Sequence, residues 1–387
     1  MHERLYFDWN ASAPLRPEAR SAMLSALDAT GNPSSVHAQG RAARRLIEEA
    51  REHVAMLVGA EPRNVAFTSG GTEANMLALT PLIEDGTRRY LKLLISAAEH
   101  SSVLAGGRFA AADVETLPVG RDGVIELAAL ERRLGECPRR VLVSVVLANN
   151  ETGVVQPILQ VASLVHARDG ILHVDAVQAP GRIPCNINDL GADLLTLSGH
   201  KIGGPKGTGA LIRRNATVPF PAPLISGGGQ ERRLRAGTEN VPGIAGFGAA
   251  AAATAREFEA ERVHLLALRV RLEAGLETSS PELVIFGAGV ERLPNTTLFT
   301  VPGMKAETAV IAFDLEGVAV SSGAACSSGK VGPSHVLAAM GVPRELARGA
   351  VRLSFGPGTR ESDVDRLIEA WIRVAERLLK ERNVVAA

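Results

Sequence analysis

Short runs rich in leucine and β-branched residues recur through the first part of the chain: NVAFTS (64–69), LKLLIS (91–96), VLVSVVL (141–147), ILHVD (171–175), DLLTLS (193–198) and GALIRR (209–214). Their brevity and near-continuous apolar character predict buried strands. Between them lie segments of helical period. In RAARRLIEEAREHVAMLVGA the apolar Leu46, Ile47, Ala50, Val54, Leu57 and Val58 recur at helical spacing, and in PILQVASLVHARDG Pro157 is placed to start a helix and Gly170 to end it. Strands alternating with helices predict an open, mostly parallel α/β sheet with helices on both faces. GALIRR follows its neighbour too closely for a helical crossover and is expected to run antiparallel.

After about residue 240 the pattern changes. IAGFGAAAAATAREFEAERVHLLALRVRLEAGLE is a long alanine-rich helical stretch with no strand inside it, read as a hinge helix. TTLFTV, AVIAFDLEGVAVSSG and VRLSFG follow, then an amphipathic helix from about Ser362 with Val364, Leu367, Ile368, Trp371, Ile372, Ala375 and Leu378 on one face. The expected division is a large α/β domain over 15–250 and a smaller α+β domain made of 1–14 plus 251–387. The first dozen residues are too few for a unit of their own and are expected to dock on the smaller one.

Composition narrows the partners. In 387 residues, 46% are hydrophobic and 22% charged, and 42 basic side chains balance 42 acidic ones, so no overall charge draws the chain to nucleic acid or to an anionic membrane. No apolar run reaches the roughly 18 to 20 residues of a membrane helix, and MHERLYFDWN has no secretory pattern, so a soluble, cytoplasmic protein is expected. Cys137, Cys185 and Cys326 are scattered singly. Neither a disulfide framework nor an intrinsic metal site is expected from them.

Three motifs carry chemistry, each with a plain reading beside it. Lys201 in SGHKIGGPKGTGA (198–210) follows a predicted strand in a glycine-rich loop: a solvated lysine, or one fixed to form a Schiff base with an aldehyde. Asp175 in HVDAVQ ends a strand, where open α/β sheets place ligand groups; it reads as a turn cap or as the partner of a pyridine nitrogen. In TSGGTEANMLAL (68–79), Gly70, Gly71 and Thr72 open a helix, as a simple capped turn or a phosphate cradle. Weak singly, the three in this order point to pyridoxal 5'-phosphate. Cys326, in SSGAACSSGK (321–330), is a small buried hydrophobe or a reactive thiol on a glycine-flanked loop. Lys330 or a protonated His100 beside it would favour the thiolate.

With these motifs, the segments GNPSSVHAQGRAAR (31–44), FTSGGTEANM (67–76), EHSSV (99–103), NNETGVVQPI (149–158), HVDAVQAPG (173–181), SGHKIGGPKGTGAL (198–211), GGGQERRLRAGTENV (227–241) and SSGAACSSGKVGPSHVLAAMG (321–341) make the chain resemble the class-V aminotransferases, and among them the cysteine desulfurases of NifS/IscS type. The resemblance covers nearly the whole chain. It implies a type I pyridoxal-phosphate transferase fold, with the cofactor on the large domain and the catalytic cysteine loop on the small one. It implies that Lys201 holds the cofactor, Asp175 pairs with its ring nitrogen, Gln178 and Asn150 bond around the ring hydroxyl and substrate amine, and His100 stacks on the ring and moves protons. Gly71, Thr72, Ser198 and His200 would bind the phosphate, joined by Thr238 from the partner subunit of a homodimer. Arg352 and Asn32 would take the carboxylate of L-cysteine. Cys326 would receive its sulfur as a persulfide, leaving L-alanine, and pass it to an iron–sulfur scaffold or a thiolation protein, where it could briefly share a cluster. GPSHVL after the cysteine resembles the group with a longer catalytic loop, which implies several acceptors. FDWNASAP (7–14) departs from the family's pattern. The rival readings are a selenocysteine lyase or another class-V aminotransferase or lyase, and, outside enzymes, a non-catalytic sulfur carrier or scaffold.

Overall fold

The six apolar runs all become strands of one seven-stranded sheet; the seventh, Val114–Leu117, is only partly buried, which hid it from the pattern. A computed structural model describes residues 4–81, 83–84, 87–88, 92–137, 140–323 and 334–385. Across the sheet the order is Val65–Thr68, Gly209–Arg213, Leu194–Ser198, Ile171–Asp175, Val141–Val146, Lys92–Ser96 and Val114–Leu117. Gly209–Arg213 is antiparallel to both its neighbours, as expected of a strand reached by the short connection 199–208, and the remaining pairings are parallel. The register sets Val146 against Asp175, Asp175 against Thr196, and Ser198 and Thr68 against Gly209. The carboxyl ends of the parallel strands therefore share one rim.

The helix predicted from Arg41 starts earlier, at Ala38, because the His37 ring accepts from the Gly40 N–H at 3.3 Å and caps it. Its buried face, with Ile47, Ala50 and Val54, packs in one core with Phe67, Val143, Val174, Leu197 and Phe247. The long helix spans Val241–Ser279. Its first half gives Ile244, Phe247 and Ala251 to that core, and its second half gives Leu265, Leu268, Leu272 and Leu276 to another. This second core lies on the antiparallel sheet of Val284–Ile285, Thr296–Thr300, Val351–Ser354 and Ser321–Ser322. Trp371 of the final helix, Glu361–Val385, is fully buried there, edge-on to Phe299 at 5.0 Å, with its indole N–H donating to Ser280 Oγ at 3.1 Å. Truncating such a side chain to alanine costs about 3–5 kcal/mol.

The N-terminal segment ties the two sheets. Leu5–Tyr6 pairs in parallel with Val318–Ala319. The chain then crosses to the large sheet, where Ala13 N donates to His200 O at 2.9 Å, and Arg16 reaches Glu257 and Glu261 of the long helix at 2.6 Å each. Among the described residues, no helix is long and apolar enough to cross a membrane.

Candidate active site

Where Val65–Thr68 meets the rim, the chain turns through Ser69 and Gly70 into the helix Gly71–Ala78. The turn lies so close to Gly209 that a Cβ there would sit 2.5 Å from the carbonyl carbon of Gly70, so only glycine fits. No side chain caps the helix, and Gly71 and Thr72, which carry its first N–H groups, line a cavity of about 290 Å³. That end of the helix carries unsatisfied donors and the positive pole of its dipole.

Asp175 enters the same cavity from the end of its strand. It is 4% exposed; Oδ2 accepts from Asn75 Nδ2 at 2.7 Å and Oδ1 from Val177 N at 3.0 Å. Asn75 lies one turn beyond Gly71 and also donates to Ser102 Oγ at 2.9 Å. On the same strand, His173 is sealed between Ser144 Oγ at 2.8 Å and Thr196 Oγ1 at 3.0 Å, and burial pushes its imidazole down to about 4. Burial, with the nearby charge of Asp175, pushes the Glu99 carboxyl well above the ordinary range.

Lys201 closes the turn Gly199–Lys201 that follows Leu194–Ser198. Its Nζ donates to Asn10 O at 2.5 Å and Ala11 O at 3.0 Å. Asn10, 1% exposed, is a junction: its carbonyl also accepts from Gln178 Nε2 at 3.0 Å, and its Nδ2 donates to Thr296 Oγ1 at 2.9 Å and Asn150 O at 3.1 Å. Behind Gln178 stands Arg182, whose guanidinium donates to the Gln178 amide oxygen; burial, aided by Arg352, lowers it to about 10.

Arg352 is 1% exposed. Its Nη1 donates to Asn150 O at 2.9 Å and its Nη2 to Asp8 Oδ1 at 2.6 Å, while Nε has no partner among the described residues. An arginine in the wall of a cavity suits an anionic ligand. His100 accepts from Ser102 N at 3.2 Å through Nδ1, so its neutral ring carries hydrogen on Nε2. Burial lowers its pKa, against the pull of Asp175 and with the push of Lys201. His200 pairs with Ser12 Oγ at 3.3 Å and is pushed down to about 4 by burial and then by Lys201 and Lys206.

Gly71, Thr72, His100, Asn150, Asp175, Gln178, Ser198, His200, Lys201 and Arg352 thus line one cavity. Two other anticipated residues stand apart from it. Asn32 is exposed, its Oδ1 accepting from Ser34 N at 2.9 Å, and Thr238 is exposed on the surface of its own chain. Cys326 and Lys330 lie outside the described residues. Burial raises the thiols of the other two cysteines, that of Cys185 to about 12. Asn10, Asn75, Ser102 and Asp8 were missed. Asn75 was legible, four residues past Gly71 and so on the same helix face, whereas Asn10 and Asp8 lie in the segment that departs from the family's pattern.

The pattern of the family described as aminotransferase class-V matches residues 5–367. The chain is 44% identical to a cysteine desulfurase of Cereibacter sphaeroides, covering 97% of each chain, and 39% identical to a cysteine desulfurase IscS of Dictyoglomus turgidum, covering 98% of this chain and 96% of that one. The X-ray structure of a NifS-like protein from Rickettsia africae has a TM-score of 0.88 at 36% identity, over 97% of this chain and 100% of the other. Since the match runs through both cores and all the walls of the cavity, the chain belongs to the class-V aminotransferase family.

Proposed function

We propose that the protein is a cysteine desulfurase that uses pyridoxal 5'-phosphate to take sulfur from L-cysteine, leaving L-alanine and a persulfide on Cys326. The carrying observation is the make-up of the cavity: the Lys201 amine, the buried Asp175 carboxylate, the uncapped helix start at Gly71 and Thr72, and the Arg352 guanidinium in its wall. This set fits the cofactor. Lys201 would hold its aldehyde carbon, Asp175 its ring nitrogen, Gly71, Thr72, Ser198 and His200 its phosphate, and Gln178, Asn150 and His100 its ring and the substrate amine. When bound, pyridoxal phosphate supplies an electron sink for charge left at the substrate α-carbon.

The chain's own groups divide the remaining work. Arg352 orients the substrate by its carboxylate, with Asn32 assigned to the same end by resemblance. Lys201 Nζ takes the α-proton, and His100, neutral near pH 7 because burial lowers its pKa, exchanges protons through Nε2. The Cys326 thiolate attacks the substrate sulfur: an S–S bond forms, the Cβ–S bond breaks with its electrons staying on Cβ, and protonation at Cβ together with return of a proton to Cα yields alanine. The assignment of Cys326 rests on the resemblance, supported by the raised thiols of Cys137 and Cys185. The persulfide passes by thiol exchange to an acceptor such as an iron–sulfur scaffold. The same reading includes a cytoplasmic homodimer in which Thr238 serves the partner's cofactor, supported by its exposure away from its own cavity. It also divides the chain into 15–250 and 1–14 plus 251–387, supported by the two separate cores.

Mass spectrometry after incubation with L-cysteine tests this. One added sulfur is expected on the Cys326 peptide and none on those of Cys137 or Cys185. Undiminished sulfide release by Cys326→Ala would overturn the reading.

A further inference from the structure

The loop after residue 225 has an unusual backbone. Glu231, Arg232 and Arg233 have φ of 44°, 56° and 70°. Three successive non-glycine residues in the left-handed region persist only where the surroundings force them. Glu231 supplies the force: 3% exposed, it binds Arg51 through both oxygens at 2.7 and 2.8 Å, and its Oε2 also accepts from Phe67 N at 2.9 Å. Arg51, itself buried, lies 4.8 Å over the Phe67 ring and donates to Val65 O at 2.9 Å. Both partners thus fasten the loop to Val65–Thr68, the strand that delivers the turn at Ser69 and Gly70.

A second fastening lies at the turn itself. Arg235 donates through Nη2 to Ser69 Oγ at 2.9 Å and through Nε to Glu73 Oε1 at 3.3 Å, while Glu73 Oε2 accepts from Ser69 N at 3.0 Å. Ala236 N donates to Ile225 O at 2.9 Å and closes the neck of the loop. Arg235, Glu73 and Ser69 therefore embrace the turn from outside, and Gly71 and Thr72 line the cavity inside; neither Glu231 nor Arg235 lines it.

We propose that Glu231 and Arg235 are positioning residues that lock this loop onto the turn at 69–72 and thereby set its grip on the cofactor's phosphate, an inference that rests on the cofactor reading above. A turn held in advance presents its N–H donors without ordering a loop at the moment of binding. Residues that act this way govern affinity for the phosphate group alone, whereas residues that merely stabilise the fold affect the whole cofactor.

The test uses the full-length apoprotein, titrated with pyridoxal 5'-phosphate and with pyridoxal, which lacks the phosphate. Arg235→Ala is expected to weaken the phosphate ester roughly tenfold and pyridoxal by less than about twofold. Arg235→Lys should recover part of the loss, since an ammonium keeps the charge without the fork. Without ligand, amide exchange across 69–73 should quicken in Arg235→Ala, and Glu231→Gln should shift both readouts the same way. Equal losses for the two aldehydes, or no loss, or unchanged exchange would overturn the proposal. If the wild-type protein binds neither aldehyde, the cofactor reading falls and the exchange measurement alone decides whether the loop holds the turn.

Discussion

Asp175 and Arg352 line the same cavity and are both buried, yet different parts of the chain hold them. Asp175 is fixed by Asn75 and Val177, neighbours within the unit built on the large sheet. Arg352 stands on a strand of the small sheet and is held by Asp8 of the N-terminal segment and the carbonyl of Asn150 beyond Val141–Val146. The first geometry is preset by one core. The second exists only when three separate segments are docked, and part of its guanidinium is already committed to a carboxylate. Asp175 is thus placed by neighbours within one core, whereas the geometry of Arg352 depends on how separate segments meet.

Substitutions separate the two residues. Asp175→Asn, which cannot hold a pyridine nitrogen protonated, is expected to lower kcat by roughly 10²- to 10⁴-fold and to alter the visible absorption of the bound cofactor. Arg352→Ala is expected to lower kcat/KM by roughly 30- to 100-fold, chiefly through KM, with cofactor retention unchanged. A matching loss of cofactor would show that the two are not separate. Asp8→Asn keeps an oxygen for Arg352 Nη2 but removes the negative charge paired with it; with Arg352 holding the substrate carboxylate as proposed, KM should fall about threefold. A rise in KM would mean that the charge of Asp8 is what orients the arginine.

A last effect concerns stability and is read by a different measurement. His173 and His200 are pushed down to about 4, from an ordinary value near 6.5. Between those values the unfolded chain binds protons that the folded chain does not, so stability falls as pH drops through this window and is unaffected above it. Urea midpoints measured between about pH 7 and about pH 4.5 should show this slope, flattened in His173→Gln.

Much of the Asp175 and Lys201 side of the cavity was legible because its parts are local. Asp175 ends an apolar strand, Lys201 follows another, and the glycine turn opens a helix; each signal sits within a few residues of the group it positions. The Arg352 side was legible only in part. Arg352 could be matched to a family pattern, but its partner Asp8 lies at the other end of the chain, and Asn10, which contacts Lys201, Gln178 and Thr296, sits in a segment that sequence reasoning read only as a departure. Val114–Leu117 escaped notice because a half-exposed strand lacks an apolar run.

By itself, then, the sequence determined which segments become strands and helices and which residues carry amine, carboxylate and anion-binding chemistry, since periodicity and side-chain type are properties of neighbouring residues. The tertiary structure decided which carbonyls meet Lys201, that Arg352 faces Asp8 with one N–H left over, that Glu231 can hold a left-handed run against Arg51, and that Asn32 and Thr238 lie outside their own cavity. Those outcomes depend on burial and on hydrogen bonds between residues far apart in the chain, which exist only once the sheets have packed.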